Sequence, residues 1–284
     1  MIAILLWSGL ALMTAASGTM PPFQLAAITF VIGGSLGLAF AAGRGKLTAL
    51  RQPLPVWLLG VGGLFGYHAL YFTALKNAPP AEAGLIAYLW PLLIVLLTAF
   101  LPGESLSGRH VLGGILGLLG VATLIVGPKI LRGESLAFAT QHAFGFSLAF
   151  ACAFVWSIYS VLSRRFKAVP TEAVAGFCLA TALLAALCHI LFETTQWPEG
   201  SLAWLAIIGL GLGPVGLAFY AWDHGVKHGD IRLLGVASYA APVLSTLILV
   251  AAGIAPASWA LLLACACIVA AALVASPPVR QRRS

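Results

Sequence analysis

Apolar residues occur in long runs along this chain, and charged residues are largely confined to the short stretches between them. A helix that crosses a membrane needs about 20 predominantly apolar residues. Ten candidate spans of roughly this kind lie near residues 2–18, 22–42, 55–76, 80–101, 109–127, 141–163, 171–191, 201–223, 231–252 and 256–276. The pattern predicts an all-α membrane protein with ten transmembrane helices.

Proline and glycine separate these runs, because both residues interrupt helices and favour turns. The breakers are Pro21-Pro22, Pro53 and Pro55, Pro79-Pro80, Pro102-Gly103, Gly127-Pro128, Pro170, Pro198 and Pro256.

The basic residues predict the orientation of the helices, since loops on the cytoplasmic side are enriched in Lys and Arg. With the N-terminus inside and ten spans, only Lys76, Lys129 and Arg132 of the 15 basic residues lie outside. Nine spans would move the arginine-rich end of the chain to the outer side. We therefore predict a multi-pass inner-membrane protein with both termini in the cytoplasm and a basic cytoplasmic tail at 277–284.

Composition supports this class. The chain of 284 residues is 61% hydrophobic and 8% charged, whereas soluble domains carry about 25% charged residues. The net charge of +7 resides in short loops, which reports topology and excludes a nucleic-acid partner. The five cysteines lie inside apolar runs, so we expect neither a disulfide nor a metal site, and no motif indicates a cofactor.

The sequence contains an internal repeat. Residues 67–93 align without gaps on residues 218–244, at an offset of 151. The alignment pairs Lys76 with Lys227, Tyr88 with Tyr239 and Pro91 with Pro242. At nearly the same offset, Leu6-Trp7-Ser8 matches Val155-Trp156-Ser157.

Each half of the repeat holds five predicted spans, at 1–128 and 140–276. Because five is odd, the second half enters the membrane from the opposite side. Inverted repeats of this type build transporters with a central cavity between the halves and alternating access to it.

These features resemble the EamA-type members of the drug/metabolite transporter superfamily over essentially the whole chain. The stretch YFTALKNAPPAEAGLIAYLWPLL is similar to the aromatic amino acid exporters of that group. The resemblance implies a ten-helix inner-membrane carrier that exports Phe, Tyr and Trp, with other amino acids left open as further substrates.

Charged residues are nearly absent from the middle of the predicted spans. Glu82, Arg109, Glu172, Asp223 and Arg232 all fall near predicted span ends. This argues against a drug–proton antiporter with a carboxylate switch and against a carrier of anionic sugar phosphates. It also argues against a membrane-embedded enzyme, which needs clustered Asp, Glu, His or Ser at depth.

Aromatic and weakly polar residues remain as candidates for substrate binding, and they come from both halves. They are Tyr67, His68, Tyr71, Trp90, Trp7, Trp156, Phe219, Trp222, Ser238 and Tyr239. Our hypothesis is that His68 faces the cavity near the midplane and hydrogen-bonds the substrate's amino or carboxylate group, while the rings receive its side chain. The alternative is that His68 bonds a neighbouring helix's carbonyl and only packs.

Pro91 and Pro242 interrupt the fourth and ninth spans at positions related by the repeat. Proline removes a helical hydrogen bond, so we predict kinks there that act as hinges for alternating access.

The sequence thus predicts an exporter of aromatic amino acids that works by facilitated diffusion. The alternative is a proton-coupled exporter of another small amphipathic metabolite or drug, with His68 carrying the proton. A lipid flippase also stays open, and a laterally open groove would favour it. We expect a monomer surrounded by lipid, with a dimer left open.

Overall fold

The computed structural model describes residues 1–102, 106–136 and 138–276, all of them in helices, turns or irregular segments. The predicted tail at 277–284 and the breaker residue Gly103 lie outside the described residues. The helices are α1 Ile2–Ser8, α2 Leu10–Ala16, α3 Pro22–Gly43, α4 Leu54–Asn77, α5 Pro80–Ala87, α6 Trp90–Leu97, α7 Gly108–Leu131, α8 Ala143–Arg165, α9 Val174–Phe192, α10 Gly200–Leu212, α11 Ala218–His228, α12 Ile231–Ser238, α13 Ala240–Ala251 and α14 Trp259–Ala275.

Among the described residues, eight helical segments are long and apolar enough to cross a membrane. They are Pro22–Gly43, Leu54–Asn77, Pro80–Phe100, Gly108–Leu131, Thr140–Arg165, Thr171–Phe192, Gly200–His228 and Ile231–Ala251. Two shorter apolar helical segments, Ile2–Ala16 and Trp259–Ala275, occupy the first and last predicted spans. The all-helical prediction is therefore confirmed.

One predicted boundary is wrong. Gly127-Pro128 was expected to end the fifth span, but α7 continues through Pro128 to Leu131. Pro128 lies in the last turn, so it removes one hydrogen bond to the preceding turn and leaves only three helical residues after it. Membrane helices tolerate proline where neighbours satisfy the freed groups.

A second correction concerns Asp223, which the sequence placed at the end of the eighth span. The helix runs on to His228, so Asp223 lies inside α11 with 2% of its surface exposed. Lys227 stands one turn further along and pairs with Asp223 at 2.8 Å. This partner stabilises the charge and lets the helix continue past a buried carboxylate.

Four interruptions divide the spans. Turns at Tyr88–Leu89 and at Tyr239 separate α5 from α6 and α12 from α13, just before Pro91 and Pro242. Gly9 separates α1 from α2, and a π-helical segment, Gly213–Leu217, joins α10 to α11. The last two interruptions were not predicted.

Helix pairs that are far apart in sequence form the core. α3 packs along α9, α7 along α14, and α4 along α8. Glycines permit the close approach: an added methyl group at Gly63 of α4 would overlap the ring of Tyr159 on α8. The main buried cluster contains residues of both halves, including Phe30, Trp90, Trp156 and Trp222. The two halves therefore meet around aromatic side chains.

Candidate functional site

Five large aromatic side chains meet at the centre of the helix bundle, and all five were predicted site residues. Neighbouring ring centroids lie 5.1 to 6.3 Å apart, with Trp7 in contact with each of the others. The five residues are Trp7 of α1, Trp90 of α6, Trp156 of α8 and Phe219 and Trp222 of α11. We call this group the aromatic cluster.

Hydrogen bonds fix the orientation of two of these rings. The indole N–H of Trp7 donates to the carbonyl of Pro214 in the π-helical segment, at 3.0 Å. The indole N–H of Trp222 donates to Ser160 Oγ, also at 3.0 Å. Buried Trp side chains normally find such partners, so these two rings are held in defined positions.

His68 adjoins the aromatic cluster on α4. Its ring lies 5.1 Å from Phe30 and 6.2 Å from Phe219, both edge to face. His68 Nδ1–H donates to the carbonyl of Leu64 at 2.7 Å, because a carbonyl oxygen can only accept. The neutral ring then offers Nε2 as an acceptor. Among the described residues this atom has no hydrogen-bond partner, and it is not fully buried.

Tyr67 and Tyr71 extend the site from His68 along α4. Their rings stack at 5.9 Å, and Tyr67 also contacts Trp156 at 5.5 Å. Tyr88 and the Cys152 thiol lie close enough to interact electrostatically with these phenols. In the part of the chain that the structure describes, the hydroxyl oxygens of Tyr67, Tyr71 and Tyr88 have no hydrogen-bond partner and are not fully buried.

The structure does not bring Ser238 and Tyr239 to this cluster. Ser238 Oγ donates to the carbonyl of Leu234 in its own helix. Tyr239 is fully buried, its ring lies over Gly117 of α7, and its hydroxyl accepts a hydrogen bond from the backbone N–H of Leu92 at 3.2 Å. Tyr239 therefore contacts the fourth span rather than the aromatic cluster.

Two cavities within the described ranges lie away from the aromatic cluster, where a central cavity was predicted. A water-sized cavity of about 10 Å³ lies next to Asp223 and Lys227. An open apolar groove of about 440 Å³ lies between α3 and α9. Neither is lined by the aromatic cluster, whose rings pack directly on one another. The unpartnered polar atoms of the candidate site lie on the side formed by His68 and the tyrosines.

Two ion pairs with buried carboxylates lie within the described helices. Lys227 binds Asp223 and also donates to the carbonyl of Val169, while Thr171 donates to the same carboxylate at 2.7 Å. Elsewhere, Lys129 binds the fully buried Glu82 at 2.8 Å. These carboxylates are neutralised by lysines and do not face the aromatic cluster as free charges.

No group of three or more His, Cys, Asp or Glu side chains that could hold a metal ion occurs within the described ranges.

The sequence profile of the EamA-like transporter family matches residues 1–126 and 143–276. The chain belongs to this family. Its members are transporters, and the protein is accordingly a multi-pass membrane transporter and not an enzyme.

Relatives within the EamA-like family include well-matched full-length proteins. The chain is 62% identical over 275 residues to the aromatic amino acid exporter YddG of Ancylobacter novellus, covering 96% of this chain and 94% of that protein. It is 28% identical to the protein of the same name from Escherichia coli K12, covering 87% and 84%. A solved crystal structure superposes with a TM-score of 0.90 at 61% identity, covering 96% of this chain and 94% of that one.

Sequence reasoning missed three polar groups that the structure places at or near the site. Tyr88 lies near enough to interact electrostatically with Tyr67 and Tyr71. The hydroxyl of Ser157 lies within hydrogen-bond distance of the carbonyls of Trp90, at 2.9 Å, and Ala153, at 2.7 Å. Lys227 neutralises Asp223. The repeat offered a signal for all three, since it aligns Tyr88 with Tyr239, Ser8 with Ser157 and Lys76 with Lys227.

Proposed function

We propose that this transporter exports aromatic amino acids across the bacterial inner membrane by alternating access. The observation that carries the proposal is the aromatic cluster, together with the unpartnered Nε2 of His68 beside it. The 62% identical relative is itself named as an aromatic amino acid exporter, which supports the same substrate class.

The chemistry of the site suits a zwitterion with an aromatic side chain. His68 Nε2 accepts a hydrogen bond from the substrate's ammonium group, and the phenols of Tyr67, Tyr71 and Tyr88 donate to its carboxylate. The ring of the substrate packs edge to face or offset against Trp90 and Trp156. The electron-rich faces of the same rings attract an ammonium group by cation–π contact.

We infer ten transmembrane helices in two inverted five-helix repeats. α5 and α12 each have eight residues and begin 151 residues apart, at Pro80 and Ile231. α3 packs along α9 and α7 along α14, so the second span pairs with the seventh and the fifth with the tenth. Such pairing of equivalent helices is what a two-fold axis in the membrane plane produces.

An even number of spans puts both termini on one side, and the basic residues of 277–284 favour the cytoplasm. The proposed units are a first repeat at 1–128, an inverted second repeat at 140–276 and the basic tail. The transporter works as a monomer surrounded by lipid.

Transport is facilitated diffusion down the substrate gradient. The carboxylates of Glu82 and Asp223 are paired with Lys129 and Lys227, and neither lies in the aromatic cluster. The second candidate is proton-coupled export of another small amphipathic metabolite. The unpartnered Nε2 of His68 is the observation that favours it, because a ring nitrogen with a free lone pair can accept a proton.

Counterflow tests this function. Proteoliposomes loaded with unlabelled phenylalanine should take up labelled phenylalanine faster than unloaded ones, because an alternating-access carrier exchanges substrates across the membrane. Tyrosine or tryptophan inside should accelerate uptake equally well, whereas aspartate should not. Acceleration by aspartate, or none by any aromatic amino acid, contradicts the proposed substrate class.

A further inference from the structure

Two glycines related by the repeat have opposite surroundings. A methyl group added at Gly235 of α12 would lie 3.0 Å from the carbonyl oxygen of Pro91 and 3.4 Å from Ile94. The equivalent position, Gly84 of α5, has only the hydroxyl of Tyr71 within 4 Å, at 3.9 Å. The ninth span is therefore pressed against the break of the fourth, but the fourth is not pressed against the break of the ninth.

Two equivalent tyrosines show the same asymmetry. The hydroxyl of Tyr239 accepts a hydrogen bond from the N–H of Leu92, which lies in the first turn of α6 and has no partner in its own helix. The hydroxyl of Tyr88 has no hydrogen-bond partner among the described residues. By the repeat, the position that corresponds to Leu92 is Val243.

A pair of equivalent serines repeats the pattern. The hydroxyl of Ser157 of α8 lies 2.9 Å from the carbonyl oxygen of Trp90, next to the break of the fourth span, and 2.7 Å from that of Ala153 in its own helix. Ser8 of α1, its counterpart, bonds the carbonyl of Leu5 in its own helix, at 2.6 Å, and reaches no carbonyl of the ninth span among the described residues.

The larger elements agree with these side chains. α6 packs against α12, whereas α5 and α13 make little or no contact among the described helices. At the end where α6 and α12 meet, the side chain of Lys227 is 4% exposed, but its counterpart Lys76 is 51% exposed. With the proposed orientation, the tightly packed side is the cytoplasmic one and the loosely packed side is the outer one.

We propose that Ser157, Gly235 and Tyr239 form a clamp that holds the break of the fourth span and positions Trp90 while the cytoplasmic side is closed. Ser8, Gly84 and Tyr88 form the equivalent clamp on the ninth span when the outer side is closed. The inference rests on the alternating-access part of the proposed function, not on the identity of the substrate.

The two clamps exclude one another, because each requires one end of the bundle to be closed. Tyr88 is therefore free to face the substrate only while the outer side is open. Tyr88 leaves the site to bind the ninth span as that side closes. The exchange of clamps thus couples the closing of one side to the loss of a substrate contact on that side.

Hydrogen–deuterium exchange measured by mass spectrometry tests the proposal on the intact protein in lipid nanodiscs, without substrate. The backbone amides of α6 and α12 exchange when the cytoplasmic side opens, so their rate reports the open population. Gly235→Ala overpacks the closed clamp and should raise this rate at least about fivefold. Gly84→Ala fits the present state but overpacks the opposite one, so it should lower the rate by a similar factor.

The tyrosine pair provides a second comparison that leaves the packing unchanged. Tyr239→Phe should raise the exchange of α12 and lower that of α5 and α13, by roughly two- to tenfold. Tyr88→Phe should do the reverse. Gly62→Ala on α4, where an added methyl group meets nothing within 4 Å, is the matched control and should change neither rate.

Shifts in the same direction for Gly84→Ala and Gly235→Ala, or no shift for either, overturn the clamp. If Tyr239 has only a local role, Tyr239→Phe raises the exchange rate near Leu92 and leaves the rates of α5 and α13 unchanged. That result also overturns the clamp. If the opposite shifts occur but phenylalanine is not transported, the clamp stands and only the proposed substrate falls.

Discussion

His68 combines a fixed tautomer with an open acceptor. Its Nδ1–H is committed to Leu64, so Nε2 is the atom left for a ligand. A hydrogen bond to a charged group contributes about 1.5–3 kcal/mol. His68→Ala should therefore weaken the apparent affinity for phenylalanine by roughly ten- to hundredfold in a counterflow assay.

His189 offers the matched control for this prediction. It is also a histidine of a predicted span, but it bonds Glu193 and Thr195 near the end of α9, away from the aromatic cluster. His189→Ala should leave the apparent affinity unchanged. An unchanged affinity in His68→Ala would show that His68 only packs.

Asp223 and Lys227 form a buried ion pair in which each charge is stabilised by the other. Their side chains are 3% and 4% exposed. Removing one member of such a pair strands the other charge and costs about 3–5 kcal/mol. Lys227→Met should therefore lower the free energy of unfolding in detergent by about that amount.

The double variant Asp223→Asn with Lys227→Met tests the pairing itself. It should be more stable than Lys227→Met alone, since no charge is then stranded. Lys46→Met, which removes a more exposed partner of Glu172, should cost no more than about 1 kcal/mol. A double variant as unstable as the single one would contradict this interpretation.

At the residue scale, the sequence predicted which side chains converge but not what holds them. Trp7 and Trp156 recur at related positions of the two halves, and Trp222 is related to Tyr71, whereas Trp90 and Phe219 stood out only as large aromatic residues inside their spans. The prediction also included Ser238 and Tyr239, which do not join the cluster. The bonds from Trp7 to Pro214 and from Ser157 to Trp90 join residues far apart in sequence. No local pattern encodes such pairs, because they depend on how the helices pack.

Paired helix breaks are the main feature at the scale of elements. Both breaks directly precede a proline, as expected from its missing N–H and its clash with the preceding turn. Pro91→Ala restores the N–H and favours a continuous fourth span. The turnover rate of counterflow should fall severalfold while the apparent affinity changes little.

Pro128→Ala is the control for the hinge, because Pro128 lies in the last turns of α7 without interrupting it. Its turnover should match that of the unmodified protein. Equal turnover for Pro91→Ala and the unmodified protein would refute the hinge.

Two other interruptions were not predicted. Gly9 resembles the many glycines that sit within unbroken helices here, whereas Gly213-Pro214 is a local breaker signal that the hydropathy pattern masked. The π-helical segment has a tertiary role, since Pro214 supplies the carbonyl that binds Trp7. π-helical turns are frequent at functional sites, and this one fixes a ring of the aromatic cluster.

At the scale of the whole molecule, the alternation of apolar runs and charged loops predicted an all-helical membrane protein, and the structure confirms that class. The lengths of the individual helices were less predictable. The first and last predicted spans correspond to helices of only Ile2–Ala16 and Trp259–Ala275, because hydropathy does not show where packing ends a helix.

Topology follows from the number of spans. With ten spans, a fluorescent reporter fused after Ser284 should fluoresce in the cytoplasm, whereas a periplasm-dependent phosphatase at the same place should be inactive. Nine spans would reverse both signals. This measurement checks the orientation independently of transport.

If transport is facilitated diffusion, the protein moves aromatic amino acids without an ion gradient. This is tested by measuring the efflux of labelled phenylalanine from proteoliposomes with and without a pH gradient. We expect efflux well above that of liposomes without the protein, at the same rate in both conditions. Accumulation driven by the pH gradient would contradict facilitated diffusion, and no efflux in either condition would contradict the substrate assignment.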